Sequence, residues 1–241
     1  TLIDHGRDGV HVNGPASDGV IRNVHGNALD DVVALNAWDW KNATPNFGPI
    51  ERIRVENVSG APAGVRSSNE IRMLPGIKRY DDGTELDCHL RDIVFTNITD
   101  ISTFKLYAQP NLELGRDNDF SPRIGRADNI LIDGLVMNRP CTVEVHADVD
   151  GLTIRNLDKR FEKPYWHLVE IGPRSASYPI GKPVGGVQRY TELFAPDMDC
   201  TVRHLDVPDP KLVKLIALKL NPDYPKKQPR GGTGKGIWIR N

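Results

Sequence analysis

Long apolar runs are missing from this chain: no stretch reaches the eighteen or so residues that a membrane-spanning helix needs. The first residues also lack the basic, apolar and small-residue progression of a secretory signal. Cysteine is scarce. Cys88, Cys141 and Cys200 show no Cys-x-x-Cys spacing, so neither a zinc site nor a disulfide framework is signalled. A dominant charge is missing too. With 31 Lys or Arg against 32 Asp or Glu, the net charge of -1 offers no field for phosphate backbones, and no nucleic-acid or membrane partner is expected. The charge is uneven, however: residues 211–241 hold eight basic side chains and one acid, Asp223, so they carry +7 and the 210 residues before them -8. That basic end reads as a solvated tail.

Helical periodicity is nearly absent before residue 211, and short strand-like runs separated by turn residues take its place. One set superposes on itself: Val20–Val24, Arg54–Val58, Val94–Ile98 and Thr153–Leu157 each carry asparagine at one register, followed by an aliphatic residue. A second set lies between them, at Gly9–Asn13, Val32–Asn36, Glu70–Leu74, Thr103–Ala108, Thr142–His146 and His167–Ile171. Asn129–Leu135 and Thr201–Val207 extend the first set. Two short strands alternating with turns, at an irregular period of roughly twenty to forty residues, predict an all-β, parallel β-solenoid of six visible rungs.

Stacked rungs give the asparagines a purpose, since a turn residue in the left-handed conformation can present its amide to the same amide one rung away. An internal ladder is expected, with Asn57 and Asn97 buried despite being sequons and Gly134 replacing the amide in the fourth rung. Residues 211–220 place Leu212, Leu215, Ile216 and Leu220 at helical spacing before Pro222 and Pro225, which predicts a short helix covering the last rung. The division is therefore 1–210 for the solenoid and 211–241 for a basic helix and Gly/Pro-rich tail. At the other end nothing caps the first strand, so further rungs or another chain are expected to complete that edge.

Aligning the second set by its inward aliphatic pairs leaves an outward column of His11, Ala34, Arg72, Lys105, Glu144 and Glu170. Asp8, Asp31 and Asn69 stand two positions before the first aliphatic. Neighbouring rungs are ~4.8 Å apart, so Asp8 and Asp31 are expected side by side, with Asp30 turned toward them at the strand entrance. Paired carboxylates are what glycosidic cleavage needs, one protonated for the leaving oxygen and one ionised for water. Crowding raises the pKa of one member. Arg72 and Lys105 beside such a cluster suit a sugar carboxylate or sulfate. Trp38 and Trp40 either stack on sugar rings from one wall or pack beneath the loop 42–49.

Residues 6–36 resemble the right-handed β-helix glycosidases of the polygalacturonase type, glycoside hydrolase family 28. Gly6-Arg7-Asp8-Gly9-Val10 is similar to that family's Asn-Thr-Asp rung, and Asp30-Asp31-Val32-Val33-Ala34 to its Asp-Asp pair. The resemblance implies that Asp30 is the general acid, that Asp8 and Asp31 activate water in an inverting reaction, and that Arg72 and Lys105 contact substrate charge. His11 is the candidate substrate contact in place of a Gly-His-Gly segment absent here. A pectin-like polysaccharide substrate, no cofactor, no metal and a secreted or periplasmic setting are implied with it.

Two other readings stand beside this one. Leu2-Ile3-Asp4-His5 is similar to a segment of pectate lyases, in which the aspartates would hold calcium while a basic residue removes a proton. The third is a non-catalytic, tailspike-like rod that binds glycans as an oligomer.

Overall fold

The computed structural model describes residues 2–39, 46–62, 64–80, 82–107, 125–172, 176–184, 187–193, 201–215 and 239–240. Along the chain lie β1 (Leu2–His5), β2 (Val10–Asn13), β3 (Ala16–Ala28), β4 (Asp31–Asn36), β5 (Ile50–Ser59), β6 (Glu70–Leu74), β7 (Gly76–Arg79), β8 (Glu85–Cys88), β9 (Leu90–Thr99) and β10 (Thr103–Tyr107). They continue as β11 (Arg126–Met137), β12 (Thr142–His146), β13 (Asp148–Lys159), β14 (Val169–Ile171), β15 (Ala176–Val184), β16 (Val187–Leu193), β17 (Val202–Asp206), β18 (Val213–Leu215) and β19 (Ile239–Arg240). The architecture is all-β and built mainly from parallel sheets. One sheet has eight strands in the order β1-β3-β5-β9-β11-β13-β17-β19, and the other has seven in the order β18-β14-β12-β10-β6-β4-β2. Two antiparallel hairpins, β7–β8 and β15–β16, stand apart from them.

Side-chain period explains the pairing. The inward columns Val10, Val33, Ile71, Phe104, Val143, Val169 and Val12, Leu35, Met73, Leu106, Val145, Ile171 meet in register across the seven-stranded sheet. They face Ile53, Ile93, Ile130, Leu152 and Val55, Phe95, Ile132, Ile154 of the other sheet within one buried cluster. Phe95 and Phe104 join the two sheets edge to face, 5.3 Å between centroids. Buried aliphatics on alternate positions are what a half-exposed parallel strand requires. The column expected to face outward holds its register, His11 opposite Ala34, then Arg72, Lys105, Glu144 and Glu170, but Ala34 and Arg72 are buried, so that part of it is corrected to an inward-covered stretch.

The asparagine column is present but lies outside. Asn23, Asn57, Asn97 and Asn156 all adopt φ of 54–56°, with Gly134 at 81° in the same column. Asn57 Nδ2 donates to Asn23 Oδ1 at 2.6 Å. These residues bend long strands on their solvent side, so Asn57 and Asn97 are exposed and the expected internal ladder is corrected to an external one. A parallel column, unforeseen in the sequence, sits five residues earlier at Asp18, Arg52, Asp92, Asn129 and Gly151. Each long strand is therefore kinked twice, which wraps it around the core.

The C-terminal helix is also corrected as far as the described residues reach. Pro210–Leu212 form a single 3-10 turn capped by Asp209, and Val213–Leu215 form a strand that pairs with β14. The open edge of the sheet offers Val213 and Leu215 backbone partners that a helix would leave unmet. Residues 216–220 of that run, the tail to 238, Asn42 and Cys200 lie outside the described residues. Cys88 and Cys141 are buried free thiols, and burial pushes the Cys88 pKa up to about 12.

Candidate active site

Asp8 stands in the turn leading from β1 into β2, and Asp30 in the turn leading from β3 into β4. Parallel pairing of β2 with β4 sets these turns side by side. Gly9 N–H donates to Asp31 O at 2.8 Å, and Asp31 N–H donates to Asp8 Oδ1 at 3.1 Å. One carboxylate oxygen from each of Asp8, Asp30 and Asp31 lies within 4.8 Å of the other two. The convergence expected from the sequence is thus present. Its local cause is a register shift: Asp31 pairs with Glu70 and Val33 with Ile71, so Val32 is an extra residue in β4. Such a bulge breaks strict alternation and lets two consecutive aspartates reach one cluster.

The three acids occupy unequal surroundings. The Asp30 side chain is 45% exposed, that of Asp8 11%, and Asp31 is fully buried. Arg72 Nη2 donates to Asp30 Oδ1 at 3.0 Å and forms an ion pair with Asp31 Oδ2, although neither Asp31 oxygen accepts a well-formed hydrogen bond. Burial pushes Asp31 up to about 7, against the pull of Arg72 and Lys105 and with the help of Asp8 and Asp30. Burial acts on Asp8 in the same sense. There it is outweighed by the His11 hydrogen bond, the Asp31 N–H and the charge of Arg72, which together hold Asp8 below the ordinary carboxylate range. At neutral pH the cluster therefore combines a firmly ionised carboxylate with one that is part-protonated.

His11 bridges two acids. Its Nε2 donates to Asp39 Oδ2 at 2.7 Å and its Nδ1 to Asp8 Oδ2 at 2.6 Å. The hydrogen bond to Asp39, then that to Asp8, raises the imidazole pKa to about 9, so it is a cation at neutral pH. Asp39 is fully buried and also accepts from Asn13 Nδ2 at 2.8 Å. Asp39 is not among the residues expected from the sequence, where its only signal is an acid between two tryptophans just beyond a strand. His11, read as a substrate contact, is instead tied to the protein on both ring nitrogens.

The other expected contacts divide. Arg72 sits within the cluster, but its guanidinium serves Asp30 and Asp31. Lys105, one strand further, pairs with Glu70, and its ammonium lies 6.0 Å from the Tyr107 ring centroid. Asn69 does not join the site; it is a buried turn residue at φ 52° whose amide oxygen accepts from Ala61 N–H. Trp38 is buried against Phe47, ring centroids 5.8 Å apart, so its place is beneath the loop and not on a sugar. A Cβ on Gly76 would lie 2.9 Å from Trp38, which shows how tightly the indole is enclosed. Trp40 lies outside the described residues.

Asp8, Asp30 and Asp31 are also the residues that could hold a cation. Calcium takes roughly six to eight oxygens, and here Arg72 already supplies positive charge to two of the three carboxylates. The donor set fits proton transfer better than calcium. Compared with protein-family models, with curated proteins and with solved structures, the chain finds no match.

Proposed function

We propose that the two parallel sheets are walls of a right-handed parallel β-helix and that the acid cluster hydrolyses glycosidic bonds in an acidic, pectin-like polysaccharide outside the cytoplasm. The regular alternation of long and short strands, each paired in register with the equivalent strand one circuit on, supports the fold. One observation carries the activity: three carboxylates from adjacent turns converge within 4.8 Å, with Asp8 held below the ordinary carboxylate range and Asp31 pushed up to about 7. A pair of this kind supplies both halves of acid-base cleavage.

The exposures assign the parts. Asp30, the member open to solvent, reaches the glycosidic oxygen and passes to it the proton that the cluster holds, as the bond to the anomeric carbon breaks and Asp30 is left as a carboxylate beside Arg72. Asp8, ionised and oriented by His11 and the Asp31 N–H, takes a proton from the water whose oxygen bonds to the anomeric carbon. Asp31 is out of substrate's reach, so the water-activating part given to it by resemblance becomes an electrostatic one: it keeps a proton in the cluster near neutral pH.

The test is turnover of polygalacturonate and sulfated glycans by wild type, Asp8→Asn and Asp30→Asn, with product anomers read by proton NMR. Each variant is expected to lose at least a hundredfold in reducing-end release with unchanged circular dichroism. Full activity in both variants removes the proposal. An unsaturated product lost on chelation replaces hydrolysis by a lyase reaction, and binding without any turnover leaves a glycan-binding rod.

A further inference from the structure

The turns that lead into the short strands form a continuous edge, and the acid cluster occupies only one end of it. From Asp30 the edge can be followed by hydrogen bonds: Ser68 Oγ donates to Asp30 O, and Ser102 Oγ to Ser68 O at 2.9 Å. Thr142 N–H then donates to Ser102 O at 3.0 Å, and Thr142 Oγ1 to His167 O at 3.0 Å. Four strand steps of ~4.8 Å place His167 roughly 19 Å from Asp30. That is the length of a short oligosaccharide and not of one sugar.

The edge ends on an aromatic loop between β13 and β14. Phe161 and Trp166 meet edge to face at 5.2 Å, and Lys159 Nζ lies 4.9 Å from the Phe161 centroid and 6.0 Å from that of Trp166. The Trp166 indole N–H donates to Cys141 O at 2.9 Å, which fastens the loop to the turn before β12. Between these locked rings Tyr165 is 86% exposed, the most exposed large hydrophobic side chain among the described residues. Lys163 precedes it by two residues and Lys159 by six, against one acid between them, Glu162. The ring is thus presented to solvent on a loop whose two neighbouring aromatics are held in place.

We propose that Tyr165 is the stacking platform of a distal sugar subsite, about four strand steps from the acid cluster, which holds a uronate ring of an anionic polysaccharide with its carboxylate toward Lys163. This rests on the polysaccharide reading of the cluster and adds the binding direction: the glycan runs along the leading turns. An anchored aromatic face gives the apolar side of a pyranose a partner at little entropic cost, and a lysine beside it selects the anionic ring.

Binding of hexagalacturonate and trigalacturonate is measured by calorimetry on the Asp30→Asn background, and turnover of both on the active chain. Tyr165→Ala is expected to weaken hexamer binding roughly three- to tenfold and leave the trimer unchanged, with Tyr165→Phe close to the parent. Lys163→Gln weakens the hexamer in the same direction, and more at low than at high salt. Equal hexamer affinity in Tyr165→Ala and parent, or no hexamer binding by the parent, overturns the subsite. Tyr165-dependent binding with no turnover by the active chain retains the subsite and removes the hydrolase. Turnover independent of Tyr165 on both lengths does the reverse.

Discussion

Asp31 is a buried acid that folding should find costly to ionise, and the cost has a definite pH signature. Its pKa rises from 3.8 in the unfolded chain to about 7 in the folded one, chiefly through burial. Between those values the folded state binds the extra proton, so the stability that Asp31 contributes is complete below pH 3.8 and is lost as pH climbs through 7. The rise corresponds to about 4 kcal/mol. Asp31→Asn cannot ionise. Any packing penalty of the amide is independent of pH, so the variant's unfolding free energy minus that of wild type should grow by about 3–4 kcal/mol between pH 4 and pH 8. Urea unfolding in chelator at intervals across that window measures it. A companion, Arg72→Met, removes the nearest cation and should carry the wild-type decline to higher pH, because Arg72 is the largest influence holding the Asp31 pKa down. A difference that stays flat from pH 4 to 8 would refute the reasoning, since it would mean that Asp31 keeps its unfolded pKa inside the fold.

Two further expectations concern the supports of the site and of the strands. In Asp39→Asn, His11 loses the largest contributor to its raised pKa of about 9, so its imidazole NMR titration should move down by at least a full unit; a midpoint still near 9 contradicts the bridge. Asn57 holds φ 54° on the outer kink of its strand, so Asn57→Ala should lower stability by about 1–2 kcal/mol in urea melts and Asn57→Gly by less. Equal midpoints for alanine and asparagine would show that the kink is not held by that residue's left-handed backbone.

Much of the arrangement was legible because parallel strands of period two write their contacts into the chain. Once Val10 and Val12 were matched to Val33 and Leu35, and Ile71 and Met73 to Phe104 and Leu106, the column from His11 to Glu170 followed, and with it the meeting of Asp8 with Asp30 and Asp31. The repeated asparagine announced a left-handed residue in each long strand. What it could not announce was the side of the strand on which the kink lies, so Asn57 was expected inside and stands in water.

Local pattern determined strand content, register and the gathering of the acids, because each depends on alternation and turn chemistry carried by neighbouring residues. Tertiary structure alone decided how the charges are spent. Arg72 and Lys105 turn to Asp30, Asp31 and Glu70, and His11 finds Asp39, 28 residues away. Leu212 and Leu215 read as a helix by spacing, yet the open edge beside β14 draws Val213–Leu215 into a strand. Burial of Asp31 beneath its neighbours, and with it the split between a protonated and an ionised acid, arises from packing across the whole sheet, and no stretch of sequence encodes an environment assembled from distant residues.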